Sequence, residues 1–250
     1  MIPLYTLIDE PLPDYACHPD LQCVTAEPQA GVYLLWDVDG MALAKAGEKG
    51  RVRVDFTAGA ARHRRVQGGG ELLAKAVNHR TRPQVWDATG GLGRDSFVLA
   101  GLGLSVRVFE RHPAVYCLLA DGLARARQHP DTAAIAARIS LHAADAAAAM
   151  PHLAEHSGRP EVVYLDPMYP ERQKSAAVKK EMAYFHELVG TAQDDAALLD
   201  AALAVAGKRV VVKRPRLGET LCGRQPDYQY SGKSTRFDVY RPLMLGGEEA

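Results

Sequence analysis

The spacing of apolar residues changes near residue 80 and divides the chain into two parts. Before that point, apolar runs at residues 32–35 and 52–56 predict two short strands, and the cluster Asp37-Val38-Asp39-Gly40 between them is typical of a turn. A basic stretch and three consecutive glycines follow. Residues 1–80 are therefore expected to form a small β-rich N-terminal unit that ends in a basic, glycine-rich linker.

From residue 85 onward, runs of strand length alternate with stretches of helical periodicity. The predicted strands are residues 85–88, 105–109, 139–142, 161–165 and 208–213, followed by an antiparallel pair at 228–231 and 236–240. The predicted helices of this part are residues 94–102, 113–128, a stretch beginning at 145, 178–189 and 195–206. A further helix is predicted before it, at residues 71–78. Such alternation is typical of βαβ units. Residues 81–250 are therefore expected to form a Rossmann-like α/β domain, a mostly parallel sheet with helices on both faces.

Composition narrows the class of protein. The 250 residues are 47% hydrophobic and 24% charged, which is ordinary for a globular protein. A formal net charge of +0 means that any contact with nucleic acid must come from local basic patches. No apolar run approaches the ~20 residues of a membrane span. The four cysteines form no CxxC pair, so we expect reduced thiols in a cytoplasmic protein without a metal site.

A glycine loop follows the first strand of the second part, in the run Val85-Trp86-Asp87-Ala88-Thr89-Gly90-Gly91-Leu92-Gly93-Arg94-Asp95. In an open parallel sheet, ligands bind outside the carboxyl ends of the strands. Small residues let a ligand approach the backbone, and the next helix offers free N–H groups. The cofactor-binding residues expected here are Asp87, Gly90, Gly91, Gly93, Arg94 and Asp95.

The next two strands end near further candidate cofactor ligands. Glu110, beside Arg111, can accept hydrogen bonds from ribose hydroxyls. Asp145, after Ala144, can accept one from an adenine amino group. Structural alternatives stay open for these acids. Asp95 can serve the helix dipole, Asp145 can be an N-cap, Glu110 can pair with an arginine, and Asp87 can orient the glycine loop.

The fourth strand of this part ends in Asp166-Pro167-Met168-Tyr169, in the same crevice. The lone pair of an amine on a nucleobase is delocalised into the ring, so such an amine is a poor nucleophile. Asp166 and the carbonyl oxygen of Pro167 can accept its N–H groups and align it with a methyl donor, while Tyr169 stacks on the base. Asp166, Pro167 and Tyr169 are the predicted catalytic residues.

With these motifs the chain resembles the bacterial ribosomal small-subunit methyltransferase J family. The resemblance is carried by residues 54–56, 63–65, 68–70, 87–95, 110–111, 121–125, 162–170, 173–176, 178–182, 208–215 and 236–238. It implies a class I S-adenosylmethionine-dependent enzyme that methylates N2 of one guanine in 16S ribosomal RNA. It also implies cofactor contacts at Arg94, Asp95, Glu110, Arg111, Ala144, Asp145 and Asp166. The chain has Ala144-Asp145 where the family can have Ser-Ser, and Tyr169 replaces a Phe.

Basic residues near the Asp166 motif indicate where RNA phosphates could bind. The expected partner is the small-subunit RNA or the 30S particle, with no membrane and no metal. The predicted RNA-binding residues are Arg62, Arg64, Arg65, Arg172, Lys174, Lys179, Lys180, Lys213 and Arg214.

Two other functions remain compatible with parts of the pattern. An NAD(P)-dependent oxidoreductase would account for the glycine loop and Glu110, but it leaves the Asp166 motif without a role. A non-catalytic RNA-binding protein would account for the basic clusters, although the acidic set speaks against it. Cofactor binding by the isolated protein distinguishes the three classes.

Overall fold

The computed structural model describes residues 1–57, 70–168, 183–185, 187–188 and 194–243. Residues 1–57 form a sheet of their own. Its five strands are β1 (Ile2–Thr6), β2 (Leu21–Val24), β3 (Val32–Asp37), β4 (Gly40–Lys45) and β5 (Arg51–Val52), in the order β2-β1-β3-β4-β5. The predicted turn is confirmed, because β3 and β4 pair as an antiparallel hairpin with Asp37 opposite Gly40. The sequence pattern did not predict β4, which is buried on both faces and therefore lacks alternation.

The second predicted strand of this region, residues 52–56, is wrong in its extent. The strand ends at Val52, and the chain then leaves the sheet. Val54 and Phe56 are buried instead in the core shared with the rest of the molecule, and the Phe56 ring stacks on Phe97 with ring centroids 4.1 Å apart. The apolar run is therefore a packing anchor rather than a continuation of the strand.

A seven-stranded sheet organises the remainder of the described chain. Its strands are β6 (Val85–Asp87), β7 (Val106–Glu110), β8 (Ile139–Ala143), β9 (Val162–Leu165), β10 (Arg209–Pro215), β11 (Tyr228–Ser231) and β12 (Thr235–Tyr240). The helices are α1 (Glu71–Ala76), α2 (Arg94–Gly101), α3 (Pro113–Gln128), α4 (Ala133–Ala136), α5 (Ala146–Ser157) and α6 (Asp195–Val205). Short 3-10 turns occur at Asp14–Ala16, His79–Thr81 and Leu221–Gly223.

The strand order β11-β12-β10-β9-β6-β7-β8 confirms the predicted α/β architecture. The five strands from β10 to β8 run parallel, and β11 and β12 close the sheet in the antiparallel sense. The order reverses between β6 and β9, since the chain passes from β6 to β7 on one side and later returns to β9 on the other. Ligands of open α/β sheets bind at such a point, outside the carboxyl ends of the strands.

Local sequence explains where several helices begin. Pro113 occupies the first turn of α3, where its missing N–H costs nothing. Asp145 precedes α5 and accepts a hydrogen bond from the backbone N of Ala148 at 3.3 Å. Asp194 likewise caps α6. Of the predicted helix at residues 178–189, residues 183–185 and 187–188 are described and helical, and the others lie outside the described part.

One hydrophobic core connects the two sheets. Leu4, Leu34 and Leu43 of the small sheet share a cluster with Leu118 of α3 and Val108 of β7. Helix α1 belongs to the predicted N-terminal unit, yet it contacts β11 and β12 of the large sheet. The small sheet therefore covers the α3 side of the large one. The division of the chain into two domains near residue 80 remains a prediction.

Candidate cofactor and base-binding site

The glycine loop leaves β6 at the switch point and packs against β7. The backbone N of Gly90 donates to the carbonyl oxygen of Phe109 at 2.9 Å, and a Cβ atom at Gly90 would lie 2.9 Å from that same oxygen. Gly93 has φ +69°, and a Cβ there would lie 2.5 Å from a methyl group of Leu119. Both glycines are thus required by close packing on the protein side.

Gly91 differs from Gly90 and Gly93 because no atom lies close to the position of a Cβ there. Its φ is +52°, and the nearest atom to a Cβ built there is the carbonyl oxygen of Thr89, at 3.8 Å. The backbone at Gly91 can therefore be approached from the crevice. This is the position at which the loop has room for a ligand.

Asp87 is buried beneath the loop and holds it in place. Its carboxylate accepts hydrogen bonds from the backbone N of Thr89 at 3.0 Å and from the hydroxyl of Ser96. Burial raises the pKa of Asp87 to about 7, although the hydrogen bonds from Ser96 and Thr89 oppose this shift. With 2% of its surface exposed, Asp87 orients the glycine loop, which is the alternative to a direct cofactor contact.

Glu110 at the end of β7 holds the other side of the loop. One carboxylate oxygen accepts from the backbone N of Gly91 at 2.8 Å, and the other accepts from the backbone N of His112 at 2.8 Å. Burial raises the pKa of Glu110, and these two N–H groups oppose the shift. Glu110 thereby fixes the conformation of Gly91, next to the place predicted for a ribose.

The third group of predicted cofactor contacts lies at the end of β8. Asp145 is half exposed, caps α5 and lies 3.6 Å from the guanidinium of Arg111. The backbone N of Ala144 donates to the carbonyl oxygen of Glu110 at 3.1 Å. The structure thus joins Arg111, Ala144 and Asp145 at one corner of the crevice, and the N-cap role considered for Asp145 is present.

Three charged side chains meet at the centre of the crevice. The ammonium group of Lys213 lies 2.7 Å from Oδ2 of Asp95 and 2.8 Å from Oδ2 of Asp166. The hydroxyl of Tyr164 donates to Oδ2 of Asp95 at 2.6 Å. Arg94, next to Asp95, is exposed at the start of α2. The candidate catalytic carboxylate is therefore bound to the candidate cofactor carboxylate through a lysine.

Burial and charge compete at Lys213. Burial favours the neutral amine, but Asp95 and Asp166 together outweigh it and raise the pKa of Lys213 above its ordinary value. Burial and the nearby Asp95 likewise raise the pKa of Tyr164 well above its usual range, so its phenol stays a hydrogen-bond donor. The three charged side chains carry one net negative charge.

The sequence analysis did not identify Thr89, Tyr164 and Ser96 as members of the site. Thr89 Oγ1 accepts from the backbone N of Asp166 at 2.6 Å and so joins the glycine loop to the Asp166 loop. A usable signal existed for Tyr164, because a polar ring in an otherwise apolar strand, two residues before Asp166, shares the face of that residue. Thr89 and Ser96 carried no such signal.

Both predicted RNA contacts at the end of β10 have partners within the protein. Arg214 has 6% of its surface exposed, and its Nε donates to the carbonyl oxygen of Glu219 at 2.9 Å, so burial argues against a phosphate contact there. Lys213 is bound to two carboxylates rather than presented on a rim. Pro167 is buried beside Asp166. The other predicted residues lie outside the described part of the chain, namely Tyr169, Arg62, Arg64, Arg65, Arg172, Lys174, Lys179 and Lys180.

The described residues show neither a metal-binding cluster nor a membrane-spanning helix. They contain no group of three or more His, Cys, Asp or Glu side chains arranged to hold a metal ion. Within the same ranges, no helix combines the length and the hydropathy that crossing a membrane requires.

Comparison with known proteins shows the family of the chain. A family model of S-adenosylmethionine-dependent methyltransferases matches residues 19–242. The small subunit ribosomal RNA methyltransferase J of Neisseria meningitidis is 64% identical over 219 residues, which is 88% of each chain. Its namesake in Laribacter hongkongensis is 51% identical over 89% of this chain and 80% of that protein.

The fold agrees with that of a solved relative. The crystal structure of a methyltransferase of the same cofactor class from Neisseria gonorrhoeae superposes with a TM-score of 0.82 at 54% identity, covering 98% of this chain and 97% of that one. The match spans both sheets, so the small sheet is part of the shared architecture. By sequence and fold, the chain belongs to the ribosomal RNA small subunit methyltransferase J family.

Proposed function

We propose that the protein transfers a methyl group from S-adenosylmethionine to the exocyclic N2 of one guanine in 16S ribosomal RNA. The observation that carries the proposal is the position of Asp166 at the switch point of the sheet, joined to the glycine loop through Thr89. The names of the relatives support the substrate class. Membership of the family leaves no support for the oxidoreductase alternative.

The donor set of the crevice fits this cofactor. S-adenosylmethionine carries an ammonium, a sulfonium and a carboxylate, and thus one net positive charge. The net charge of Asp95, Asp166 and Lys213 is complementary to it. Gly91 offers open backbone, and Glu110 and Asp145 stand where ribose and adenine are expected. We assign Asp95, Gly91, Glu110, Arg111 and Asp145 to holding the cofactor.

Asp166 and Pro167 would prepare the guanine amine for attack. When bound, the cofactor supplies an electrophilic methyl group. The Asp166 carboxylate, which is 39% exposed, accepts an amine N–H, and the Pro167 carbonyl oxygen accepts the second. These bonds hold the nitrogen lone pair toward the methyl group. Positive charge would develop on the amine as it accepts the methyl group, and the ionised carboxylate of Asp166 would stabilise it until the amine releases its extra proton to water.

The proposed RNA contacts are argued from the sequence. The clusters at residues 62–65 and 172–180 remain proposals for phosphate contacts, since they lie outside the described residues. Tyr169 is the last residue of the Asp166 motif, and its ring would stack on the base. The finer assignment to a guanine N2 rests on the amine-binding chemistry of the motif and on the resemblance.

The first experiment combines labelled cofactor with small subunits from cells that lack the gene. We expect label on a single guanine N2. Asp166→Asn should lower the rate by at least about 10²-fold, because the amine loses its ionised acceptor. Asp200→Asn is the matched control, since Asp200 is an exposed partner of Arg224 on the surface.

Two results would contradict the proposal. Cofactor binding without any label on the RNA would exclude the ribosomal substrate. A full rate in Asp166→Asn, with the wild-type label position, would remove Asp166 from the catalytic site.

A further inference from the structure

Lys213 was predicted as an RNA contact, but its surroundings indicate a different role. Its ammonium lies within 2.8 Å of two carboxylate oxygens that come from different elements, Asp95 from the first turn of α2 and Asp166 from the loop after β9. Two of the three N–H groups of the ammonium are thus directed at carboxylates, whose negative charge opposes the approach of a phosphate. The geometry therefore favours an internal function.

Strand register explains why the lysine stands at this point. Val212 of β10 lies opposite Leu165 of β9 in the parallel pairing. Lys213 is thus one residue beyond the last pair, beside Asp166, at the carboxyl edge where ligands bind. The arrangement follows from the sheet itself and does not depend on a flexible loop.

Four elements contribute the side chains around Lys213 and the two carboxylates that it contacts. Strand β9 contributes the Tyr164 hydroxyl, and β6 contributes the buried carboxyl of Asp87. Helix α2 contributes Asp95 with its exposed neighbour Arg94. On the other side of Lys213, β12 places the apolar Phe237 opposite it. Acidic groups thus outnumber the lysine at the centre of the site.

We propose that Lys213 is a positioning residue for methyl transfer, whose ammonium keeps Asp166 ionised and holds it beside Asp95 at the centre of the crevice. The proposal rests on the proposed function, because it assigns the lysine to the residue that binds the amine. Without the ammonium, Asp95, Asp166 and Asp87 would face one another as acids of like charge. Such a cluster favours protonation of at least one member. A protonated Asp166 would be a weaker acceptor for the amine and would not stabilise its developing charge.

The test compares Lys213→Met and Lys213→Arg with the wild type across pH 5.5–9. In Lys213→Met we expect the acid limb of the rate profile to move up by about 1–2 pH units. The loss should therefore exceed about 10-fold near pH 6.5 and should shrink above pH 8.5. Lys213→Arg keeps a cation and should keep the acid limb near its original position. Lys208→Met, on the exposed residue that precedes β10, is the matched control.

Two other outcomes would overturn the proposal. An equal loss at every pH would show that Lys213 serves structure alone. A raised KM for RNA with a salt slope reduced by about 1, and no movement of the acid limb, would show a phosphate contact instead.

A second measurement does not depend on methyl transfer. The carboxyl carbon of Asp166 is followed by carbon-13 NMR, with its signal assigned by its absence in Asp166→Asn. We expect its titration midpoint to rise by about 1–3 pH units in Lys213→Met and to stay near the wild-type value in Lys213→Arg. An unchanged midpoint in Lys213→Met refutes the role of Lys213.

This titration also separates the two proposals. If the wild type fails to label RNA, the proposed substrate is wrong, while the NMR titration still decides the role of the lysine. If Lys213→Met does not fold, Lys213→Gln is titrated in its place, with the same outcomes.

Discussion

At the scale of single residues, the acids of this crevice have separate tasks that their spacing in sequence does not reveal. The buried Asp87 and the partly buried Glu110 hold the glycine loop through backbone N–H groups and the Ser96 hydroxyl. Asp95 and Asp166 remain partly exposed and face the crevice. Asp87 is too deeply buried to reach a ligand and supports the loop, whereas the partly exposed carboxylates can do so.

Asp87 is expected to make the stability of the protein depend on pH. Its pKa is raised to about 7 by burial, whereas an unfolded Asp titrates near ~4. The folded state therefore retains a proton that the unfolded state has lost, and stability falls as pH rises through this window. Between pH 5.5 and 8, the free energy of unfolding should fall by about 2 kcal/mol more in the wild type than in Asp87→Asn.

Urea denaturation at both pH values measures this difference. Subtracting the change seen in Asp87→Asn removes the contribution of all other titrating groups. The same pH dependence in both proteins would show that Asp87 has no raised pKa in the folded state.

At the scale of elements, close approach at a glycine fixes how α3 meets the segment after β5. A Cβ atom at Gly122 would collide with the side chain of Val54 and lie 2.9 Å from its carbonyl oxygen. On the same helix, Asp121 is buried and accepts hydrogen bonds from Arg125 and from Tyr15 of the N-terminal region. Helix α3 is therefore the element on which the small sheet rests.

Two helix glycines should respond to alanine in opposite directions. Gly122→Ala should destabilise the protein by about 1–3 kcal/mol, because Val54 and its backbone must move. Gly101→Ala is the matched control in α2, where the nearest atom to a new Cβ lies 4.0 Å away. Alanine there should stabilise by up to about 1 kcal/mol through helix propensity.

Equilibrium unfolding in urea gives both values. A neutral Gly122→Ala would mean that the contact between α3 and the segment after β5 is loose.

At the scale of the whole molecule, the shared core makes the two sheets one cooperative unit. Leucines of the small sheet pack in the same cluster as leucines of α3, so separation of the sheets would expose both sets to water. The solved relative spans both sheets as well. The small sheet therefore packs directly against the elements that carry the large one.

The two tryptophans of the chain allow a test of this cooperativity. Trp36 lies in β3 of the small sheet, and Trp86 is buried in β6 of the large one. In Trp86→Phe the fluorescence reports only the small sheet, and in Trp36→Phe only the large sheet. In each variant we expect the fluorescence transition in urea to coincide with the loss of circular dichroism. An earlier fluorescence transition in Trp86→Phe alone would show that the small sheet unfolds independently.

The sequence by itself determined the alternation of strands and helices, the glycine loop and the Asp166 motif. These features are local, since a run of residues specifies strand, turn or helix through its own periodicity and backbone preferences. The same local signals overextended the strand at residues 52–56, because an apolar run does not reveal whether it continues a sheet or packs beneath a helix. The β4 strand was not predicted for a related reason, as burial on both faces removes alternation.

Only the tertiary structure decided which charges meet. Lys213 and Asp95 are 118 residues apart in sequence, and the packing of α2 against the sheet brings their charged groups to 2.7 Å. The buried position of Arg214 and the support of the glycine loop by Asp87 and Glu110 likewise depend on the packing of distant segments. Burial and long-range pairing set the protonation and orientation of a side chain, and both are properties of the folded molecule rather than of any local run of residues.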